Sequence, residues 1–105
     1  MSNAKTRRPR RLLTDEELAQ VAQQFRLLGE PMRLKILQAL CRKPRTVTEI
    51  VDTLGATQAN VSKHLALLAA AGILTRAKDG QYVYYGMRDP LTLKMCELMH
   101  HQIAG

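Results

Sequence analysis

The chain has 105 residues and a mass of 11.8 kDa, which suits one domain with one modest core. Sixteen lysines and arginines against nine acids give a net charge of +7, which favours a polyanionic partner such as nucleic acid. Cys41 and Cys96 are too few for a disulfide scaffold. Neither a membrane span of roughly 20 apolar residues nor a secretory signal is recognisable, so we expect a cytoplasmic protein with reduced thiols and no membrane partner.

Residues 1–13 are predicted to form a flexible basic arm, and residues 14–105 a single folded domain. Five of the basic residues lie between positions 5 and 11, where there is no acid. Residues 12–105 therefore hold eleven bases against nine acids, a net charge of only +2. The arm could follow the DNA backbone or minor groove, or it could serve only as a solubility tail.

Helix signals divide the first half of the domain into three helices. Thr14 and Glu17 form a capping box at the start of the first helix. Pro31 suits the first turn of the second helix. Thr48 is predicted to cap a short third helix, which ends at Gly55.

A helix-turn-helix is predicted over residues 48–72. After a two-residue turn, Thr57 caps a fourth helix that extends to about Ala71. The inward stripe of this helix is predicted to contain Val61, Leu65 and Leu68. A short helix, a tight turn and a longer helix are the layout of this DNA-binding motif.

Residues 73–87 predict a β-hairpin, because two segments rich in β-branched and aromatic residues flank Asp79-Gly80. This dipeptide is typical of a two-residue type I′ turn. Asp89 and Pro90 then begin a last helix. The predicted fold class is mostly α with a small β-hairpin: a winged helix-turn-helix of about five helices and a two-stranded wing.

The exposed face of the fourth helix is predicted to contact double-stranded DNA, because it is small, polar and free of acids. The amides of Gln58 and Asn60 can pair bidentately with adenine, and Ala59 can touch a thymine methyl group. His64 lies nearer the inward stripe, so it could be either a phosphate contact or a structural histidine. Phosphate contacts are expected from this helix and the wing, at Ser62, Lys63, His64, Arg76 and Lys78.

Three segments resemble the ArsR/SmtB family of winged-helix repressors. Residues 27–37 (LLGEPMRLKIL) are similar to its second-helix signature, residues 58–68 (QANVSKHLALL) to its recognition helix, and residues 80–85 to its wing. The resemblance implies a homodimer built mainly from the first and last helices, operator DNA with two-fold character, and repression released by an effector. Apolar stripes on both terminal helices independently favour a second copy of the chain.

The resemblance also implies metal-sensing sites, but neither common type is complete here. A Cys-x-Cys pair has no counterpart in residues 46–52, and the Asp-x-His pair of the last helix is replaced by Asp89-Pro90-Leu91. The weak candidates that remain are Cys96, His100 and His101, which could hold zinc or another metal ion. Alternatively, Cys96 belongs to the core and the two histidines are solvated.

Thiol sensing is a second hypothesis, because some members of the family use one cysteine in the second helix and one in the last. Cys41 and Cys96 have this distribution, although Gln38 occupies the position that the family pattern gives to cysteine. A disulfide needs a Cα separation below about 7 Å, which sequence alone does not give. An unidentified effector, or none, remains an alternative.

Together these patterns predict a sequence-specific DNA-binding regulator, most simply a homodimeric repressor released by a small effector. The alternative is a winged-helix module that binds protein or RNA without a specific operator. An enzyme is not expected, because the sequence contains no recognisable nucleophile–base set, P-loop or dinucleotide-binding glycine motif.

Overall fold

The structure is a computed structural model that describes residues 11–105. Most of the predicted arm, residues 1–10, lies outside the described residues, and residues 11–14 precede the first helix without regular structure. The described residues form five helices and three strands, in the order α1 (Asp15–Leu28), α2 (Pro31–Leu40), β1 (Arg45–Thr46), α3 (Val47–Leu54), α4 (Gln58–Ala70), β2 (Leu74–Asp79), β3 (Tyr82–Met87) and α5 (Pro90–Ala104).

The predicted capping box at the start of α1 is confirmed. The Glu17 amide donates to Thr14 Oγ1 at 3.1 Å, and the Thr14 amide donates to the Glu17 carboxylate at 2.9 Å. The Arg11 guanidinium donates to both oxygens of the same carboxylate, at 2.7 and 2.8 Å. These bonds, Arg11 foremost, hold the pKa of Glu17 at about 2. Arg11 thus extends the hydrogen bonds of this cap to the chain that precedes α1.

The predicted start of α3 is wrong by two residues. Thr46, not Thr48, is the N-cap, and its Oγ1 accepts from the Glu49 amide at 3.2 Å. Glu49 completes the box by accepting from the Thr46 amide at 2.8 Å. Both threonines can cap a helix, but only Thr46 has a glutamate three residues later to return the hydrogen bond.

The wing has a third strand that the sequence did not predict. β1 pairs antiparallel with β3 through Arg45 opposite Tyr85 and Thr46 opposite Tyr84, which gives the sheet order β1-β3-β2. A two-residue strand is too short to show the alternation of apolar and polar residues that identifies a strand in a sequence. Pro44, directly before it, is typical of a loop between two helices. Pairing with β3, about forty residues away in sequence, creates the strand.

The hairpin turn lies one residue later than predicted. Asp79 pairs with Tyr82, so Gly80 and Gln81 form the turn. Gly80 has φ +64°, and no non-glycine residue in the described part of the chain has positive φ. The predicted type I′ turn on Asp79-Gly80 is therefore wrong, because that type needs positive φ at both central residues. Glycine at the first of them fits a type II′ turn.

The core lies where α2, α3, α4 and the hairpin meet. The predicted inward stripe of α4 is confirmed, since Val61, Leu65 and Leu68 are all 0% exposed. The other buried apolar side chains come from α1, α2, α3, the hairpin and the residue before it: Leu28, Ile36, Leu37, Leu40, Ile50, Ile73, Leu74 and Tyr85. The apolar packing therefore fixes α4 to the body of the domain along one face, and its opposite face remains exposed.

The terminal helices contribute little to this core. They leave large apolar side chains exposed: Leu18, Val21 and Phe25 on α1, and Leu91, Leu98, Met99 and Ile103 on α5. The two helices are joined near the start of α5, where the Gln24 amide donates to Asp89 Oδ2 and to Thr92 Oγ1, each at 3.4 Å. Among the described residues, no helix combines the length and the apolar character that a membrane crossing requires.

Candidate nucleic-acid interface

The first turn of α4 presents its polar side chains to solvent. Thr57 caps the helix, with Oγ1 accepting from the Asn60 amide at 3.2 Å. Gln58 and Ala59 are exposed in this turn and Asn60 is half-buried beside them. All three predicted base-contacting residues therefore lie at the accessible N-terminal end of α4.

Two of the three predicted phosphate contacts of α4 lie on the same accessible surface. Lys63 is exposed, and Ser62 is half-buried one residue before it. No residue of α4 is acidic. The surface of the helix thus carries hydrogen-bonding groups and one positive charge, with no carboxylate to repel a phosphate.

The wing adds two further basic side chains. Arg76 and Lys78 are exposed on β2, the strand that follows α4 and packs against it. Residues two apart in a strand point to the same face of the sheet. The Arg76 Nε–H donates to the Tyr85 hydroxyl oxygen at 3.2 Å, which restricts where its guanidinium can lie. Both cations of the wing therefore lie on one face of the hairpin, and Arg76 is restrained there by Tyr85.

His64 lies where it cannot readily contact a phosphate, which was one of the two roles expected for it. Its side chain is only 6% exposed, and Nδ1 accepts a hydrogen bond from Arg33 Nε at 3.1 Å. A buried ring with this bond does not project toward a DNA backbone as Lys63 does. The geometry favours the structural interpretation.

Arg33 is the residue of this region that sequence reasoning missed. Besides His64 in α4, its guanidinium contacts the C-terminal turn of α1, where Nη1 donates to the Leu27 carbonyl oxygen at 3.2 Å. Its own amide donates to the N-capping Glu30 carboxylate at 3.0 Å, and this bond is the main cause that lowers the pKa of Glu30. No local sequence signal identifies the two contacts of the guanidinium, because their partners lie in other helices.

Cys41 and Cys96 line one apolar groove of about 700 Å³ between α2 and α5. Both cysteines are free; Cys41 is exposed and Cys96 is half-buried. Burial raises the pKa of the Cys96 thiol, and the neighbouring Cys41 raises it further. The fold thus brings to one groove two thiols that are 55 positions apart in the sequence.

The weak metal-ligand candidates do not form a complete site within one chain. His100 and His101 also line the groove, and both are exposed near the end of α5. In residues 11–105, no cluster of three or more histidine, cysteine or acidic side chains could hold a metal ion. A zinc ion bound to protein needs at least three protein ligands, so the side chains of one described chain do not make up a zinc site.

The comparisons with known proteins agree on one family. The family model described as "Bacterial regulatory protein, arsR family" matches residues 30–76 of this chain. A probable mercury resistance operon repressor of Streptomyces lividans is 41% identical over 66 residues, which cover 63% of this chain and 53% of that protein. The chain therefore spans about half the length of this curated relative.

Two further proteins match over more of their own length. The crystal structure of the AntR antimony-specific transcriptional repressor superposes with a TM-score of 0.83 at 34% identity, covering 92% of this chain and 88% of that one. The arsenical resistance operon repressor of Bacillus subtilis (strain 168) is 32% identical over 75 residues, which cover 70% of this chain and 71% of the repressor. The resemblance noted in the sequence is confirmed, and the chain belongs to the ArsR family of bacterial regulatory proteins.

Proposed function

We propose that this protein is a homodimeric transcriptional repressor that reads operator DNA with α4 and the wing and is released by an effector. The observation that carries the proposal is the exposed, acid-free surface at the start of α4. There, Gln58, Ala59 and Asn60 form a compact set of groups suited to base edges in a major groove. Lys63, Arg76 and Lys78 flank this set and are suited to phosphate contacts.

The homodimer is supported by the exposed apolar side chains on α1 and α5. Such side chains on two adjacent helices are costly in water, and a second copy of the same surface would cover them. A two-fold axis would also present two copies of α4 to successive major grooves of a palindromic operator, about 34 Å apart. Operator recognition and dimerisation then use different helices of the fold.

We place the effector in the groove between α2 and α5. Names of the relatives refer to mercury, arsenical compounds and antimony, whose ions are thiophilic. Cys41 and Cys96 supply two sulfur atoms in this groove, so a soft metal ion or a thiol-specific oxidant is the class of effector that we propose. A second copy of the chain would have to supply any further metal ligand.

Fluorescence anisotropy of the reduced, metal-free protein tests DNA recognition. The protein is titrated into a duplex from upstream of its own gene and into a scrambled duplex of the same composition. We expect a preference of about a thousandfold or more for the upstream duplex at physiological salt. Equal binding to both duplexes, with a steep salt dependence, would instead support a winged-helix module without a specific operator.

Alanine variants separate base contacts from phosphate contacts. Q58A and N60A should reduce the preference between duplexes by about five- to a hundredfold each, because each removes a group able to pair with a base. K63A and R76A should weaken binding to both duplexes alike and reduce the salt slope. K94A removes an exposed lysine of α5 and is the matched control, with no change expected. Identical behaviour of Q58A, N60A, K63A and R76A would contradict this assignment of α4.

Sedimentation and effector titrations test the other two parts of the proposal. F25R and L98R place a charge on each exposed helix face and should shift a dimer toward monomer, whereas L12R, before α1, should not. Mercury(II), arsenite, antimonite and a persulfide are then added to the protein–DNA complex. At least one should release the wild type and fail to release the C41S/C96S variant. Release of both proteins alike would exclude the two thiols.

A further inference from the structure

We infer that Arg33 and His64 are a pair of positioning residues that set the rotation of α4 about its own axis. The hydrogen bond from Arg33 Nε to His64 Nδ1 joins α2 to α4 at 3.1 Å. The inference rests on the proposed DNA-binding function and adds to it the residues that orient the recognition surface. Neither residue is expected to touch DNA.

The Arg33 guanidinium is itself held in place, which a positioning role requires. Nη1 donates to the Leu27 carbonyl oxygen of α1, and the Arg33 amide is fixed by the Glu30 carboxylate. A guanidinium is planar and rigid, so two bonds from different nitrogens define its orientation. Arg33 therefore links α4 to the junction between α1 and α2 through hydrogen bonds of defined direction.

The apolar contacts of α4 decide which face of the helix is turned inward, and a directional contact is needed to fix the exact rotation within that arrangement. Val61, Leu65 and Leu68 pack inward, and apolar packing has little directional preference. The bond at His64 is directional and lies beside this stripe. On a helix with a radius of about 5–6 Å including side chains, a rotation of about 20° moves a surface atom by about 2 Å. Such a displacement is enough to break bidentate pairing with a base.

His64 is well placed to control the base-contacting residues. Asn60 precedes it by four positions, so the two side chains lie about 40° apart on the same side of α4. An orientation fixed at His64 is therefore also fixed at Asn60, one turn nearer the exposed end of the helix.

The hydrogen bond also assigns a role to each ring nitrogen of His64. Nδ1 accepts from the Arg33 Nε–H, so the N–H of the ring lies on Nε2. Because the side chain is 6% exposed, water does not readily replace Arg33 as a donor. Loss of the arginine leaves a buried acceptor that α4 must move to satisfy.

DNA binding of four variants tests the pair against a merely structural role. H64L removes the acceptor at similar volume, and H64N retains an acceptor near the position of Nδ1. R33M removes the donor, and R26M, which removes an exposed arginine of α1, is the control for lost charge. H64L and R33M should reduce the preference for the upstream over the scrambled duplex by about tenfold or more. H64N should retain it, and R26M should leave it unchanged.

Retained preference in H64L and R33M, or a loss in H64N as large as that in H64L, would overturn the inference. A second measurement does not use DNA. Long-range ¹H–¹⁵N spectra of the wild type should show the proton of His64 on Nε2, and amide spectra of R33M should show shifts across residues 58–64. A proton on Nδ1, or unchanged amides in residues 58–64, would overturn the inference even if the variants with altered His64 did not fold. A wild type without duplex preference would refute the proposed function, while these spectra would still decide the role of the pair.

Discussion

Replacement of Asp89 by alanine should be strongly destabilising, because three hydrogen bonds converge on one carboxylate oxygen. Asp89 Oδ2 accepts from the Thr92 backbone amide at 3.3 Å, from the Thr92 hydroxyl at 2.6 Å and from the Gln24 side-chain amide at 3.4 Å. The lost N-cap costs about 1 kcal/mol. The Thr92 hydroxyl, which is 0% exposed, loses its acceptor at a further cost of about 1–3 kcal/mol. We expect D89A to lower the free energy of unfolding by about 2–4 kcal/mol.

Urea denaturation at one fixed protein concentration measures this loss, since a dimer has a concentration-dependent stability. D89N retains an oxygen acceptor and a good capping residue, so it is the matched control and should lose less than about 1 kcal/mol at pH 7. A loss below about 0.5 kcal/mol in D89A would refute the assigned bonds, because the cap alone is expected to exceed that value.

The pH dependence of the same variants gives an independent check. Hydrogen bonds, first from the Thr92 hydroxyl, lower the pKa of Asp89 from its ordinary value of 3.8. The folded state therefore binds the proton more weakly than the unfolded state, and the stabilisation is present above pH 3.8. It is lost as the pH falls through the lowered pKa of the folded state. The advantage of the wild type over D89N should accordingly shrink in that acidic range and remain constant between pH 5 and 7.

Three further changes test the core, the sheet and the groove. L65A should lower the free energy of unfolding, measured by urea denaturation, by about 2–5 kcal/mol, because the Leu65 side chain is 0% exposed. The control is L67A, on the exposed side of α4, which should lower the free energy of unfolding by well under half as much. G86A should cost about 1–3 kcal/mol in the same assay, because its Cβ would lie 3.2 Å from the ring of the proline that precedes β1. Iodoacetamide should alkylate the exposed Cys41 several times faster than the half-buried Cys96, whose pKa is raised by burial, and equal rates by mass spectrometry would contradict the described groove.

The sequence predicted those features that short-range physics determines. The caps at Thr14, Thr57 and Asp89 each depend on hydrogen bonds within a few residues, and all three are present. The inward stripe of α4 follows from helical spacing alone. Because the helix-turn-helix and the hairpin are built from such local signals, their order along the chain was sufficient to predict the fold class.

The features that the sequence did not predict depend on distant partners. β1 forms because Arg45 and Thr46 pair with β3, and no local sequence pattern predicts that pairing. Likewise, Arg33 and His64 are 31 positions apart, and each is an unremarkable polar residue in its own helix. Secondary structure places each of them on a face, but only the packing of α2 against α4 brings the donor to the acceptor.

The helix α2 contacts both regions to which we assign function. One side of it, through Leu37 and the C-capping Cys41, lines the groove that Cys96 also lines. Another side carries Arg33, whose guanidinium donates a hydrogen bond to His64 in α4. Under the proposed effector site and the inference for Arg33 and His64, a ligand that moved α2 away from α5 would also move Arg33, because Leu37 and Arg33 belong to the same ten-residue helix. A small rigid movement of α2 beside α4 would then be the route that these two proposals give for release from DNA.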